Sequence, residues 1–227
     1  HLLQPSPNKI PVLGITGTGG AGKSSFTDEI IRRFIVDHPD KRIAVLSIDP
    51  TRRRTGGALL GDRIRMNSVR EKQVFSRSLS TGSSVQEISP ATQDAITILQ
   101  NSNFDLIIVE TSGIGQGSSA VIDISDFSIY VMTPEFGAPS QLEKIDMLDF
   151  ADFVVLNKFD RRGSEDAFRD IRKQVKRNRK LWETPDEELP VYGTIAAQFN
   201  DSGVNAVYLD LLQKMMEFSG RIYSSTL

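Results

Sequence analysis

Five glycines fall in the nine positions from Gly14 to Gly22, and Lys23, Ser24 and Ser25 follow at once. Within this stretch Gly17, Gly22, Lys23 and Ser24 spell G-x-x-x-x-G-K-S. The chemistry such a pattern supports is anion binding. Gly17, Gly19, Gly20, Ala21 and Gly22 carry almost no side chain, so their backbone N–H groups can turn inward around a polyphosphate. Lys23 adds a point charge for the β- and γ-phosphates. Ser24 and Ser25 open a helix, and the Ser24 hydroxyl is placed to ligate Mg²⁺. A plain glycine-rich turn would need neither the lysine nor the serines. Thr18 stands where some related ATPases carry an additional lysine, which argues against that subgroup.

A second constellation lies far downstream. Asn157, Lys158, Phe159 and Asp160 form N-K-x-D directly after the apolar run FVVL. A carboxylate accepts two hydrogen bonds, and guanine offers N1–H and an exocyclic amine side by side, whereas adenine would leave Asp160 unpaired. Guanine is therefore the expected base, with a backbone N–H from Ala196 or Ala197 as a further contact.

Three acids complete the set. Asp49 ends the run IAVLSI, Glu110 ends LIIV, and Asp62 sits in GALLGDR. Together with Ser24 they supply hard oxygens for Mg²⁺, more than direct coordination needs, so at least one is expected to act through water or to orient an attacking water. The expected catalytic group is thus Lys23, Asp49, Asp62 and Glu110. Gly113 in ETSGIGQG offers an N–H to the γ-phosphate, within a glycine-rich loop that also holds Gln116. The arginines at 52–54, 63 and 65 read first as a solvated face, with one of them able to reach the phosphates. The Lys/Arg-rich stretch 169–180 reads as an exposed or docking face.

These groups need a frame. Apolar, β-branched runs at 11–16, 43–48, 104–109, 127–133, 153–156 and 191–195 predict strands buried on both faces. Amphipathic stretches at 23–37, 140–151, 164–182 and 204–218 predict helices between them, with Phe26, Ile30 and Phe34, and Val207, Leu211 and Met215, as core positions. The alternation predicts an α/β fold with a mostly parallel sheet and helices on both faces, and ligands at the carboxyl ends of the strands. The Ser-rich stretch 76–90 reads as a loop. The Pro-rich residues 1–10 read as a linker, 11–220 as one nucleotide-binding domain and 221–227 as a tail.

Composition narrows the classes. With 27 basic and 29 acidic residues the net charge is −2, so no basic field favours nucleic acid or an anionic membrane. The chain has no cysteine and two histidines, His1 and His38, which excludes a disulfide framework and thiolate metal sites. No apolar run approaches the roughly 20 residues that cross a bilayer. A cytoplasmic protein is expected.

GITGTGGAGKSS, LSIDPTRRRTGGALLGDRIRM, IIVETSGIGQG, MTPEFGAPSQLEKIDMLDFADF and NKFD together resemble the G-protein chaperones of adenosylcobalamin-dependent acyl-CoA mutases, the ArgK-type group. The likeness is strongest to the G-domain of the fused isobutyryl-CoA mutases and extends from about residue 10 to about residue 215. The resemblance implies a P-loop GTPase, slow by itself, that gates loading and protection of adenosylcobalamin in a mutase. It implies that Ser24, Asp49, Asp62 and Glu110 surround Mg²⁺, that 135–148 signals to the mutase, and that the full-length protein is a homodimer. The guanine-side element departs from many GTPases in reading Ile-Ala-Ala. No D-x-H-x-x-G cobalamin motif is present, so the mutase reaction belongs to a partner, fused or separate. A nickel-insertion GTPase, a kinase-like ATPase and a non-hydrolysing interaction module are the competing readings. The first would need His or Cys ligands, and N-K-x-D argues against the second.

Overall fold

Among the described residues, the alternation of apolar runs with helical spacing folds into a seven-stranded, all-parallel sheet of order β3-β2-β4-β1-β5-β6-β7. The computed structural model describes residues 10–49 (Asp49 by its backbone), 66–80, 88–111 and 119–227. The expected strands appear as β1 (Val12–Gly17), β2 (Ile43–Asp49), β4 (Leu106–Thr111), β5 (Phe127–Met132), β6 (Phe153–Asn157) and β7 (Val191–Thr194). The three innermost, β4, β1 and β5, are buried at every residue, which is why each reads as an unbroken apolar run rather than an alternation.

Two expectations change. The loop expected over 76–90 begins as a strand: β3 (Val74–Ser80) pairs with β2 along its whole length. As an edge strand it is only partly buried, so serine and Arg77 take positions that a central strand would give to Val or Ile. The single helix expected over 140–151 is two short ones, α3 (Pro139–Leu142) and α4 (Met147–Phe150), with Leu142, Ile145, Met147 and Leu148 turned inward. An additional helix, α2 (Pro90–Gln100), buries Thr92, Ile96 and Leu99.

Helices cover both faces of the sheet. Alternate residues of β1 point opposite ways: Leu13 and Ile15 pack with α1 (Lys23–Asp37) and α6 (Ser202–Ser219), whereas Val12 packs with Ile96 and Leu99 of α2. Phe26, Ile30, Phe34, Val207, Leu211 and Met215 are all in the core, as their spacing predicts. On the face shared with α2, α5 (Ser164–Arg179) contributes Ala167, Ile171 and Val175 against β6 and β7. Each fully buried aliphatic or aromatic side chain contributes about 1.5–3 kcal/mol.

Residues 221–227, read as a tail, lie against the domain. Tyr223 is buried and stacks edge-on with His38, which in turn meets Phe34. Asp37 accepts hydrogen bonds from Tyr208 Oη at 3.0 Å, Thr226 N at 3.1 Å and Thr226 Oγ1 at 2.8 Å. Burial pushes the His38 imidazole below its ordinary value of 6.5, and Lys41 acts in the same sense against the carboxylates of Asp37, Asp40 and Asp105. A histidine whose folded value is depressed binds fewer protons folded than unfolded, so its stabilising contribution is present above the unfolded value and is lost as pH falls. Thermal midpoints followed by circular dichroism should therefore drop between pH 7.5 and pH 5.5. His38→Phe should flatten that part of the profile, and an unchanged slope in the variant would assign the acid sensitivity elsewhere.

Candidate functional site

The strand order decides which sequence motifs meet. β1 lies between β4 and β5, so the glycine loop at its carboxyl end is flanked by the carboxyl end of β4, and Ile15 is in register with Glu110. β2 lies beyond β4, with Ser47 opposite Glu110, which sets Asp49 on the same edge two residues further along. On the other side come β5, β6 with Asn157 at its end, and β7 with Thr194 in register with Asn157. All these residues share one edge of the sheet, with the glycine loop central.

The loop is shaped by contacts that admit no side chain. Gly17 has φ +149°, and a Cβ there would overlap the Val131 carbonyl, which also accepts the Thr18 N–H at 3.1 Å. Gly22 has φ +85°, and a Cβ would come to 2.6 Å from Asn157 Nδ2. These two glycines are required by backbone conformation and close approach together. Within the loop Ala21 N donates to Thr18 O at 3.2 Å, closing a tight turn. The Lys23 side chain is buried, and its ammonium donates to Gly17 O at 3.2 Å and Thr18 O at 3.0 Å. A cation is thereby held inside the loop's curve.

Helix α1 starts at Lys23 with Gly22 as N-cap, no side-chain cap and no acid in its first turn. α6 shows the alternative, since Asp201 caps it by accepting Val204 N at 2.9 Å. The first N–H groups of a helix have no intrahelical acceptor, and the macrodipole makes this end positive. The bare end of α1 adjoining the glycine loop and a buried ammonium is an electrostatic seat for an anion.

Beside it Ser24 Oγ donates to Glu110 Oε1 at 2.8 Å, joining the helix start to the end of β4. Behind this pair Thr111 Oγ1 donates to Thr16 Oγ1 at 2.8 Å, locking β4 to β1. Hydroxyl and carboxylate oxygens at the edge of a phosphate loop suit a hard cation such as Mg²⁺. Among the described residues no group of three or more His, Cys, Asp or Glu comes together. Asp62, Gly113 and the arginines at 52–54, 63 and 65 lie outside the described residues, as does the Asp49 side chain.

The N-K-x-D residues divide into two roles. Asn157 is buried and acts as a bracket: Nδ2 donates to Ala21 O at 2.7 Å, while Oδ1 accepts Ala196 N at 3.0 Å and Thr194 Oγ1 at 3.1 Å. Lys158, at φ +60°, donates from Nζ to Gly20 O at 2.7 Å. Both side chains therefore hold the glycine loop. Asp160 is exposed at the turn that follows, and Ala197 is exposed across from it, whereas the Ala196 N–H is engaged by Asn157. Gly19, Gly20 and Ser25 are likewise exposed along the rim.

Two residues that motif reading left aside position Asp160. The Phe159 ring lies against Gly193, where a Cβ would meet it at 2.7 Å, and edge-on to Phe168 of α5 at 5.3 Å. Phe159 N donates to Thr194 O at 3.0 Å. The glycine that interrupts the short strand VYGT was the available signal, since a glycine in a strand marks a close approach.

With this geometry in place, the family described as "Methylmalonyl Co-A mutase-associated GTPase MeaB" matches residues 2–221. The chain belongs to the MeaB family. Similar relatives include the fused isobutyryl-CoA mutases of Cupriavidus metallidurans, 62% identical over 89% of this chain, and of Geobacillus kaustophilus, 56% identical over 96%. This MeaB-type chain spans about a fifth of the length of each, 19% and 20%. Among solved structures, a LAO/AO transport system kinase superposes with TM-score 0.66 at 22% identity, covering 96% of this chain and 64% of the other. That likeness establishes the P-loop NTPase fold. Among the described residues of the MeaB-type chain, no helix is long and apolar enough to cross a membrane.

Proposed function

We propose that this MeaB-family chain binds and slowly hydrolyses GTP with Mg²⁺, and that its nucleotide state gates adenosylcobalamin loading and protection in an acyl-CoA mutase to which it is fused or docked. The observation that carries the nucleotide reading is the Asn157 bracket. One buried amide joins the phosphate loop at Ala21 to the base-side segment at Ala196, while Lys158 holds Gly20. This link supports a reading in which phosphate grip and base reading work as one unit, with the exposed Asp160 receiving guanine.

In this reading the loop from Gly17 to Gly22 and the start of α1 hold the triphosphate, with Ser25 at the rim. Lys23 turns its ammonium from the Gly17 and Thr18 carbonyls to the β- and γ-phosphates. Ser24, Asp49, Asp62 and Glu110 would hold Mg²⁺ directly or through water, and the ion would supply neutralisation of phosphate charge. Gly113 offers its N–H to the γ-phosphate. A carboxylate of this set orients the attacking water as the bond between γ-phosphorus and the bridging oxygen breaks, so that catalysis is mainly positioning and charge compensation. Asp160 and the Ala197 N–H read the base. The location in the cell is cytoplasmic, and the full-length assembly a homodimer.

Calorimetry with GTP and ATP at saturating Mg²⁺, combined with a phosphate-release assay, tests the nucleotide part. GTP should bind at least roughly a hundredfold tighter than ATP, as expected for a site whose polar groups pair with one base alone. Release should be slow and rise when an acyl-CoA mutase is added. Equal affinity for the two nucleotides would overturn the assignment.

A further inference from the structure

The segment between β5 and β6 is strapped along α5, and α5 begins within one turn of the base-reading Asp160. The turn Pro134–Phe136 packs against this helix so closely that Gly137 has no room for a Cβ beside Ala167. Further along, Arg177 Nη1 pairs with Glu143 at 3.2 Å, and Asn178 bonds to Asp149. Arg179 donates to the Leu148 and Ala151 carbonyls at 2.9 and 2.6 Å. Much of the basic charge on α5 is matched within the molecule, since Arg169, Lys173, Lys176 and Arg177 pair with Asp166, Asp170, Asp186 and Glu143. One side of the helix is thus tied into the molecule, while Arg169, Lys173 and Arg177 stay largely exposed, as expected of the stretch 169–180, with their charge matched locally.

Arg161 belongs to both parts. Its backbone closes the turn that presents Asp160: Arg161 N donates to Lys158 O at 3.0 Å, and Arg161 O accepts Ser164 Oγ at 2.6 Å at the start of α5. Its guanidinium pairs with the Glu135 carboxylate on the neighbouring segment. Thr133 donates a side-chain hydrogen bond to Glu135, and with the residue's own backbone and Arg161 this outweighs desolvation and keeps the carboxyl below the usual range. Glu135 is accordingly charged near neutral pH. The Asp160 side chain is exposed, so its placement rests on this turn together with Phe159, which packs against Gly193 and Phe168.

We propose that Arg161 is a positioning residue that ties the base-reading turn to residues 134–150 through Glu135, so that guanine at Asp160 is felt along that segment without passing through the phosphates. The inference rests on Asp160 reading guanine. Coupling between the two is reciprocal: whatever orders 134–150 sharpens base reading by the same factor. A half-exposed pair of this kind is expected to change GDP affinity by no more than about fivefold.

The test is amide hydrogen exchange on the 227-residue chain, comparing GDP with inorganic tripolyphosphate, which fills the phosphate loop but carries no base. In the wild type GDP should slow exchange across 136–150 by at least about threefold more than tripolyphosphate does, within what a pair of this strength can transmit. In Arg161→Gln and in Glu135→Gln that difference should vanish, while calorimetry still shows GDP binding within about fivefold of wild type. Equal protection by the two ligands, or a difference that survives both substitutions, overturns the coupling and leaves base reading intact. Failure of wild-type protein to bind GDP overturns both.

Discussion

Lys23→Ala should lower GTP affinity by roughly 30-fold to a few thousand-fold in calorimetry, the equivalent of about 2–5 kcal/mol for removing one partner of a buried charged contact. The size follows from where the ammonium sits. It is 7% exposed, inside the curve of the loop, and water cannot substitute for it cheaply once a triphosphate is present. A surface lysine near the same phosphates would be worth far less, because solvent screens it. The Gly17 and Thr18 carbonyls also lose a donor in the variant, so the loop loosens as its charge disappears. GTP binding that stayed micromolar in the variant would remove the loop from the mechanism.

Asp160→Asn should invert the base preference. Guanine presents two donors to the carboxylate, and losing one charge-assisted pair while facing an amide N–H against the exocyclic amine costs about 3 kcal/mol, roughly a hundredfold in GTP affinity. Xanthine carries a carbonyl in place of that amine, so the asparagine amide can donate to it while its oxygen accepts N1–H. Xanthosine triphosphate should then bind more tightly than GTP, measured by direct competition. Because Asp160 is exposed and outside the Asn157 bracket, the substitution leaves the fold untouched. An unchanged preference would mean that the base is read elsewhere.

The frame was legible wherever burial was two-sided. Runs such as IAVLSI and FVVL have no polar face because helices cover the sheet above and below, and each is a strand within two residues of its expected bounds. β3 was not legible, because an edge strand that exposes Phe75 and Arg77 and carries Ser76 and Ser78 on its partly buried face loses the apolar continuity that marks its neighbours. α2 escaped for a similar reason: three buried residues in eleven leave a weak stripe. In the site, residue type and spacing announced the glycine loop and the N-K-x-D turn as separate features. The joining of the two was hidden, since Asn157 reaches Ala21 across 136 residues and Ala196 across 39. Local pattern marks candidate binding residues, whereas the strand order shows which of them, such as Asn157 and Lys158, also hold the glycine loop.

The parallel sheet also sets a timetable for the newborn chain. β1 has no hairpin partner, and its neighbours β4 and β5 come late: Thr16 meets Thr111 only after 95 further residues have been made. At typical ribosomal speeds of about 5–20 residues per second, the segment from Gly17 to Ser25 waits roughly 5–20 s before any flanking strand exists to shape it. Until then β1, made just ahead of the most glycine-rich part of the polypeptide, has neither of its neighbouring strands. Translation pausing before Thr111 would prolong the interval in which that strand has nothing to pair with.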